Sequence, residues 1–107
     1  MRLGMYGYMR LAASNEEGVE NEALQSELAA HAKREGFTLE RIFIEQIRSN
    51  EGAFDCLTDA LRASGIRNVI VPSLWHFARL PGLQRAMREH IEQEIGARIW
   101  IIQGAQR

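Results

Sequence analysis

The sequence predicts one α/β domain in three layers: a mostly parallel four-stranded sheet with helices on both faces. The pattern of an amphipathic helix, a glycine and an apolar strand occurs three times, with the glycines at Gly36, Gly65 and Gly96. Strands that alternate with helices through short loops are typical of parallel sheets. A length of 107 residues suits one domain, and a hydrophobic fraction of 46% is enough for a core.

The first strand is predicted at residues 3–9, where Gly4 and Gly7 indicate a bend or a close approach of neighbouring groups. The first helix is predicted at about residues 20–35 and ends at Gly36, a residue type that readily adopts a left-handed conformation. The apolar stripe of this helix comprises Leu24, Leu28 and Ala32.

The second strand, at about residues 38–45, alternates apolar and polar residues only loosely. Ser49 or Asn50 is predicted to cap the second helix, which ends at Gly65. The buried face of this helix is predicted to comprise Phe54, Leu57 and Leu61. Cys56, the only cysteine, has apolar neighbours in the sequence, so we expect a buried structural thiol.

A third strand is predicted at residues 69–71, which are all apolar, as in a central parallel strand covered on both faces. Residues 73–80 are predicted to form a loop, and Pro81 to begin the third helix. The stripe of that helix comprises Leu83, Met87, Ile91 and Ile95. The last strand is predicted at residues 98–102.

Functional groups in such sheets gather at the carboxyl ends of the strands. In this sequence those ends are residues 10–14, 46–49 and 73–79. We therefore expect any site to be built from these segments.

The same segments resemble a known family. The opening run is Tyr6-Gly7-Tyr8-Met9-Arg10-Leu11-Ala12, a later run is Val69-Ile70-Val71-Pro72-Ser73-Leu74-Trp75-His76-Phe77-Ala78-Arg79, and Glu51-Gly52-Ala53-Phe54 lies between them. Together they resemble the catalytic domain of serine recombinases of the resolvase/invertase family. The resemblance implies a resolvase-like fold over nearly the whole chain and a relation to DNA recombination.

In that family a serine attacks a DNA phosphodiester, and several arginines stabilise the charge that develops on the phosphate. The resemblance places Ala12 at the nucleophile position and identifies Arg10 and Arg79 as retained family arginines. Glu51 replaces a further arginine, and Trp75-His76 replaces an Asp-Arg pair. The resemblance thus implies a recombinase domain without strand-cleavage activity.

Three functions remain open from the sequence. The first is a regulatory or assembly module in DNA recombination. The second is an active recombinase or nuclease that uses a displaced nucleophile such as Ser14, with His76 as general base, although a serine at that position is also typical of a helix cap or loop. The third is a module unrelated to DNA that binds a protein, or an anion between Arg10 and Arg79.

No cofactor or metal is predicted. The sequence lacks the glycine-rich phosphate loops of nucleotide-binding proteins. Its three histidines, His31, His76 and His90, have no metal-ligand spacing. The single cysteine and the absence of a long apolar stretch predict a cytoplasmic protein.

The predicted partners are DNA, bound weakly or indirectly because the net charge is −1, and a second copy or another protein. Two segments are candidate protein interfaces: the edge strand Arg98-Ile99-Trp100-Ile101-Ile102, and the loop with Trp75 and Phe77. The alternative for the loop is that its aromatic rings fold inward and fill the vacated pocket. The resemblance also implies that residues 1–107 lack the family's long dimerisation helix and DNA-binding domain.

Overall fold

The computed structural model describes residues 3–10, 17–45, 52–77 and 80–102. Its centre is a four-stranded parallel sheet with the strand order β2-β1-β3-β4. The strands are β1 (Leu3–Arg10), β2 (Phe37–Glu45), β3 (Asn68–Val71) and β4 (Arg98–Ile101). The predicted α/β class and sheet are confirmed.

Helices cover both faces of the sheet, as the sequence predicts. They are α1 (Glu17–Arg34), α2 (Ala53–Ser64) and α3 (Pro81–Glu89), and α3 continues into a π-helical segment, His90–Ile95. On one face, Leu28 and Ala32 of α1 pack with Met5, Met9 and Ile70. On the other face, α2 and the π-helical segment contribute Leu57, Leu61 and Ile91 to a core with Tyr8, Val69 and Val71.

Gly7 confirms the predicted close approach along β1. A Cβ atom at this position would lie 3.1 Å from Ile42 Cγ1 and 3.5 Å from Leu28 Cδ1. The missing side chain therefore lets α1 and β2 pack closely against the centre of the strand.

An irregularity in β2 explains its loose sequence pattern. Met5 pairs with Leu39 and the next residue, Tyr6, pairs with Arg41, so Glu40 is an extra residue in the register. As a result, apolar residues on both sides of Glu40 pack into the α1 layer: Phe37, Leu39, Ile42 and Ile44.

Most helix ends agree with the sequence prediction. Gly36, Gly65 and Gly96 all have positive φ angles, and Pro81 is the first residue of α3. The predicted cap of α2 is wrong, because the N-cap residue is Gly52, and Ser49 and Asn50 lie outside the described residues. The Ala53 N–H instead donates to Glu45 Oε1 at 3.1 Å, so a carboxylate from β2 satisfies one of the N–H groups left free at the start of the helix.

Two burial predictions are wrong. Cys56 is exposed, because the buried face of α2 is formed by Ala53, Leu57 and Leu61, and Cys56 lies on a different side of the helix. Leu83 is 52% exposed, because the stripe of this helix is fully buried only at Ile91, while Met87 and Ile95 are partly buried against the core. Among the helices in the described part of the chain, none is long and apolar enough to cross a membrane. A cytoplasmic location stays a prediction.

Candidate functional site at the carboxyl ends of β1 and β3

The carboxyl ends of β1 and β3 meet through Arg10 and a short 3₁₀ turn, Leu74–His76, which lies in the predicted loop. The Arg10 backbone N–H donates to His76 Nδ1 at 3.0 Å. The Arg10 side chain donates from Nη2 to the Phe77 carbonyl at 2.8 Å and, at a longer 3.4 Å, from Nε to the His76 carbonyl. Arg10 therefore holds the turn against the end of β1.

These contacts use Arg10 in a way that the sequence did not indicate. The resemblance implies a guanidinium that faces a phosphate, whereas here two of its nitrogens donate to backbone carbonyls. Since a phosphate needs the same kind of donor, binding an anion through these N–H groups would require the turn to give them up.

His76 is buried, with only 2% of its surface exposed. Burial, and to a lesser degree the charge of Arg10, lower the pKa of His76 from 6.5 to about 4. The ring is therefore neutral at pH 7, in agreement with Nδ1 accepting a hydrogen bond. A neutral imidazole cannot supply the permanent positive charge of the arginine that the resemblance expects at this position.

Phe77, next to His76, is fully buried. Its ring stacks on Tyr8 with centroids 5.5 Å apart, and Phe54 meets both rings edge-on at 5.9 and 6.1 Å. The predicted interface role is therefore wrong for Phe77, and the alternative of an inward-folded ring is confirmed for this residue. Burying its ring against two others is favourable. The side chain of Trp75 lies outside the described residues.

Tyr8 places a buried hydroxyl beside Arg10. Within the described residues neither the Tyr8 hydroxyl nor the buried Ser73 hydroxyl has a hydrogen-bond partner. Burial and the negative charge of Glu45 raise the pKa of Tyr8 to about 12, and Arg10 opposes this shift. Tyr8 is therefore a neutral phenol at physiological pH.

Tyr8, Ser73 and Glu45 are site residues that the sequence analysis did not single out. Tyr8 could have been found from its spacing, because residues two apart in a strand share a face and Arg10 follows at that distance. Glu45 is the last residue of β2, one position before the segment expected to carry the site.

Of the predicted site residues, Arg10 and His76 lie in the described part of the chain, and they are hydrogen-bonded to each other. Ala12, Ser14, Glu51 and Arg79 lie outside the described residues. Within residues 3–10, 17–45, 52–77 and 80–102, no three histidine, cysteine or acidic side chains form a metal-binding group.

No family model and no curated protein matches the chain. Solved structures match it closely in fold. The C-terminal catalytic domain of ISC1926 TnpA, an IS607-like serine recombinase, superposes with a TM-score of 0.77 at 14% sequence identity. The match covers 98% of this chain and 71% of that chain. A resolvase family site-specific recombinase from Streptococcus pneumoniae has a TM-score of 0.76 at 21% identity, over 94% of this chain and 72% of its own.

The N-terminal catalytic domain of TP901-1 integrase has a TM-score of 0.72 at 13% identity, over 90% of this chain and 74% of its own. At these identities the likeness concerns the fold. The chain has the fold of serine recombinase catalytic domains over nearly its whole length, as the resemblance in the sequence implies.

Proposed function

We propose that this chain is a serine-recombinase-related domain that serves DNA recombination as a regulatory or assembly module and does not cleave DNA. One observation carries the proposal: Ala12 stands two residues beyond the end of β1, where the resemblance places the nucleophilic serine. A methyl group has no lone pair with which to attack phosphorus. Residue 12 therefore cannot act as a covalent nucleophile.

The contacts around Arg10 support the same proposal. The guanidinium already donates to the carbonyls of the 74–77 turn, and the neighbouring His76 is neutral. The first feature occupies N–H donors that a phosphate would need, and the second means that His76 adds no positive charge at the carboxyl end of the sheet. In enzymes that stabilise a developing oxyanion, losing one such donor costs about 10²- to 10³-fold in rate.

DNA is proposed as a weak or indirect partner, since the net charge is −1 and affinity for duplex DNA depends mainly on neutralising phosphates. We further propose that the chain acts through contacts with protein, either a second copy or another component of a recombination complex. We place the protein-contacting surface at β4, an edge strand of the sheet, since Phe77 of the other candidate segment is buried. Trp75 of that segment stays a predicted contact.

The decisive experiment is a cleavage assay on supercoiled plasmid, with denaturing gels to detect a protein–DNA adduct. We expect the wild-type protein and the Ser14→Ala variant to leave the plasmid supercoiled and to form no adduct. An adduct that is present in the wild type and lost in Ser14→Ala would overturn the proposal and establish a displaced nucleophile.

A mobility-shift series with short duplexes and increasing salt tests the DNA part of the proposal. Weak binding that falls steeply with salt is expected. If no shift occurs at low salt while sulfate raises the melting temperature, the function belongs to anion binding outside DNA recombination.

A further inference from the structure

The two edges of the sheet differ in how they resist pairing with another strand. β2 carries the irregularity at Glu40 and the charged residues Glu40, Arg41 and Glu45, features that discourage edge-to-edge association. In the described part of the chain, β4 pairs with β3 alone, and its last three residues are Ile99, Trp100 and Ile101. β4 is therefore the edge that is open to a further strand.

The hydrogen bonds to β3 show which backbone groups of β4 point outward. The Arg98 N–H donates to the Arg67 carbonyl at 2.8 Å, and the Ile102 N–H donates to the Val71 carbonyl at 3.2 Å. Because successive residues of a strand alternate in direction, Ile99 and Ile101 turn their N–H and C=O groups away from β3. These are the groups that a neighbouring strand would meet.

We propose that β4 pairs antiparallel with β4 of a second copy about a two-fold axis at Trp100, so that the sheet continues across the dimer. Ile99 then faces Ile101 of the partner subunit, and each such pair exchanges two backbone hydrogen bonds. All the outward groups of both isoleucines are satisfied in this arrangement. The inference deepens the assembly role proposed above and rests on it.

The position of the axis follows from the pattern of outward groups. An axis at Ile99 or at Ile101 would place the other isoleucine opposite residue 97 or residue 103, beyond the bounds of the strand. The axis at Trp100 also keeps the two Arg98 residues about 13 Å apart, since four residues of strand separate their positions. Like charges therefore do not oppose the pairing.

The side chain of Trp100 is fixed in a way that suits this contact. Its Nε1 donates to Asn68 Oδ1 at 3.1 Å, its ring meets Phe37 edge-on at 5.3 Å, and the Arg98 guanidinium lies 4.2 Å from the ring centroid. Trp100 is nevertheless only partly buried. Residues on a two-fold axis of this kind have Cα atoms about 4.5 Å apart, so the two indoles would cover each other's exposed surface.

A second copy fits this edge because its donors and acceptors are complementary to themselves. The outward pattern is N–H and C=O of Ile99, then the same two groups of Ile101, and a two-fold rotation maps one residue onto the other. Two-fold dimers whose subunits use the same surface are the commonest protein oligomers. β4 is short and begins with the charged Arg98, but no residue from Ile99 to Ile102 carries a charge or is a proline, so this part of the edge has no side-chain barrier to such pairing.

Disulfide trapping tests both the pairing and the axis. In a Cys56→Ser background, Trp100→Cys places two thiols on the axis, within disulfide range, whereas Arg98→Cys places them about 13 Å apart. We expect oxidised dimers on a non-reducing gel for Trp100→Cys and not for Arg98→Cys. Equal cross-linking of both variants would refute the axis, and folded Trp100→Cys protein without cross-links would refute the pairing.

Sedimentation of the protein in the absence of DNA provides the second measurement and keeps the proposal testable if Trp100→Cys fails to fold. Wild-type protein should show a concentration-dependent dimer, which Ile101→Val preserves. Ile101→Pro removes an outward N–H and leaves the hydrogen bonds from β4 to β3 in place, although the isoleucine side chain that packs against the core is also lost. It should weaken the dimer by about tenfold or more while the monomer still melts cooperatively.

A wild-type monomer at high micromolar concentration, or a dimer unaffected by Ile101→Pro, would overturn the pairing. The two proposals fail separately, because the plasmid assay concerns cleavage and sedimentation concerns the edge of the sheet. A dimer that cleaves DNA would refute the proposed function alone, and an inactive monomer would refute the pairing alone.

Discussion

Acidification should destabilise this protein through His76. The pKa of the ring is about 4 in the folded chain, against 6.5 for an ordinary histidine, because the site is buried and Arg10 is close. The unfolded chain therefore binds more protons than the folded chain between these two values, and the free energy of unfolding falls as the pH drops from 6.5 to 4. The full difference in pKa corresponds to about 3 kcal/mol, a large share of the stability of a small domain.

Urea denaturation at half-unit steps from pH 7.5 to 4, followed by circular dichroism, measures this loss. The matched variant is His76→Asn, whose Oδ1 can accept the Arg10 N–H in place of Nδ1 and which does not titrate in this range. The difference between the two proteins therefore isolates the contribution of His76. The wild type should therefore lose about 3 kcal/mol more than the variant over this range. Parallel curves for the two proteins would show that the neutral buried imidazole is the wrong description.

Four further outcomes are expected. Tyr8→Phe should leave the free energy of unfolding unchanged or raise it by up to about 1 kcal/mol in urea melts, since the buried Tyr8 hydroxyl has no partner in the described residues. A decrease of more than about 1 kcal/mol would show that the hydroxyl does have a hydrogen-bond partner. Arg10→Met, which keeps the apolar stem and removes the donors, should lower the free energy of unfolding by about 2 kcal/mol in the same assay. An unchanged free energy would mean that the 74–77 turn is stable without these hydrogen bonds. Leu83→Ala should cost under about 1 kcal/mol and Ile91→Ala about 2–4 kcal/mol; equal costs would contradict the burial described for α3. Cys56 should react with a thiol reagent in the folded protein at a rate near that of the denatured chain, and strong protection would contradict its exposure.

The fold could be predicted because its signals are local. Gly36, Gly65 and Gly96 end helices through their own backbone angles, and the apolar run at residues 69–71 suits a strand covered on both sides. The error at Leu83 has a physical reason. A stripe at helical spacing identifies the apolar side of a helix, but how deeply each residue of the stripe is buried depends on tertiary packing. Here Ile91 is fully buried, Met87 and Ile95 are partly buried, and Leu83 is exposed.

The candidate site could be predicted only in part. The order of strands and helices is enough to place Arg10 at a strand end close to the segment after β3. The bond from its backbone N–H to His76 Nδ1 depends on the conformation of a three-residue turn and on burial of the ring, and no spacing in the sequence encodes either. The inward packing of Phe77 likewise depends on Tyr8 and Phe54, which are distant in the sequence.

The extra residue at Glu40 gives β2 a tolerance to changes in length. Without Glu40 the strand would read Phe-Thr-Leu-Arg-Ile-Phe-Ile-Glu, a regular alternation in which Phe37, Leu39, Ile42 and Ile44 would keep their present orientation. A one-residue deletion elsewhere in a strand turns every following side chain to the opposite face. Related sequences aligned over this strand are therefore expected to show gaps at Glu40, and a chain shortened there should still fold.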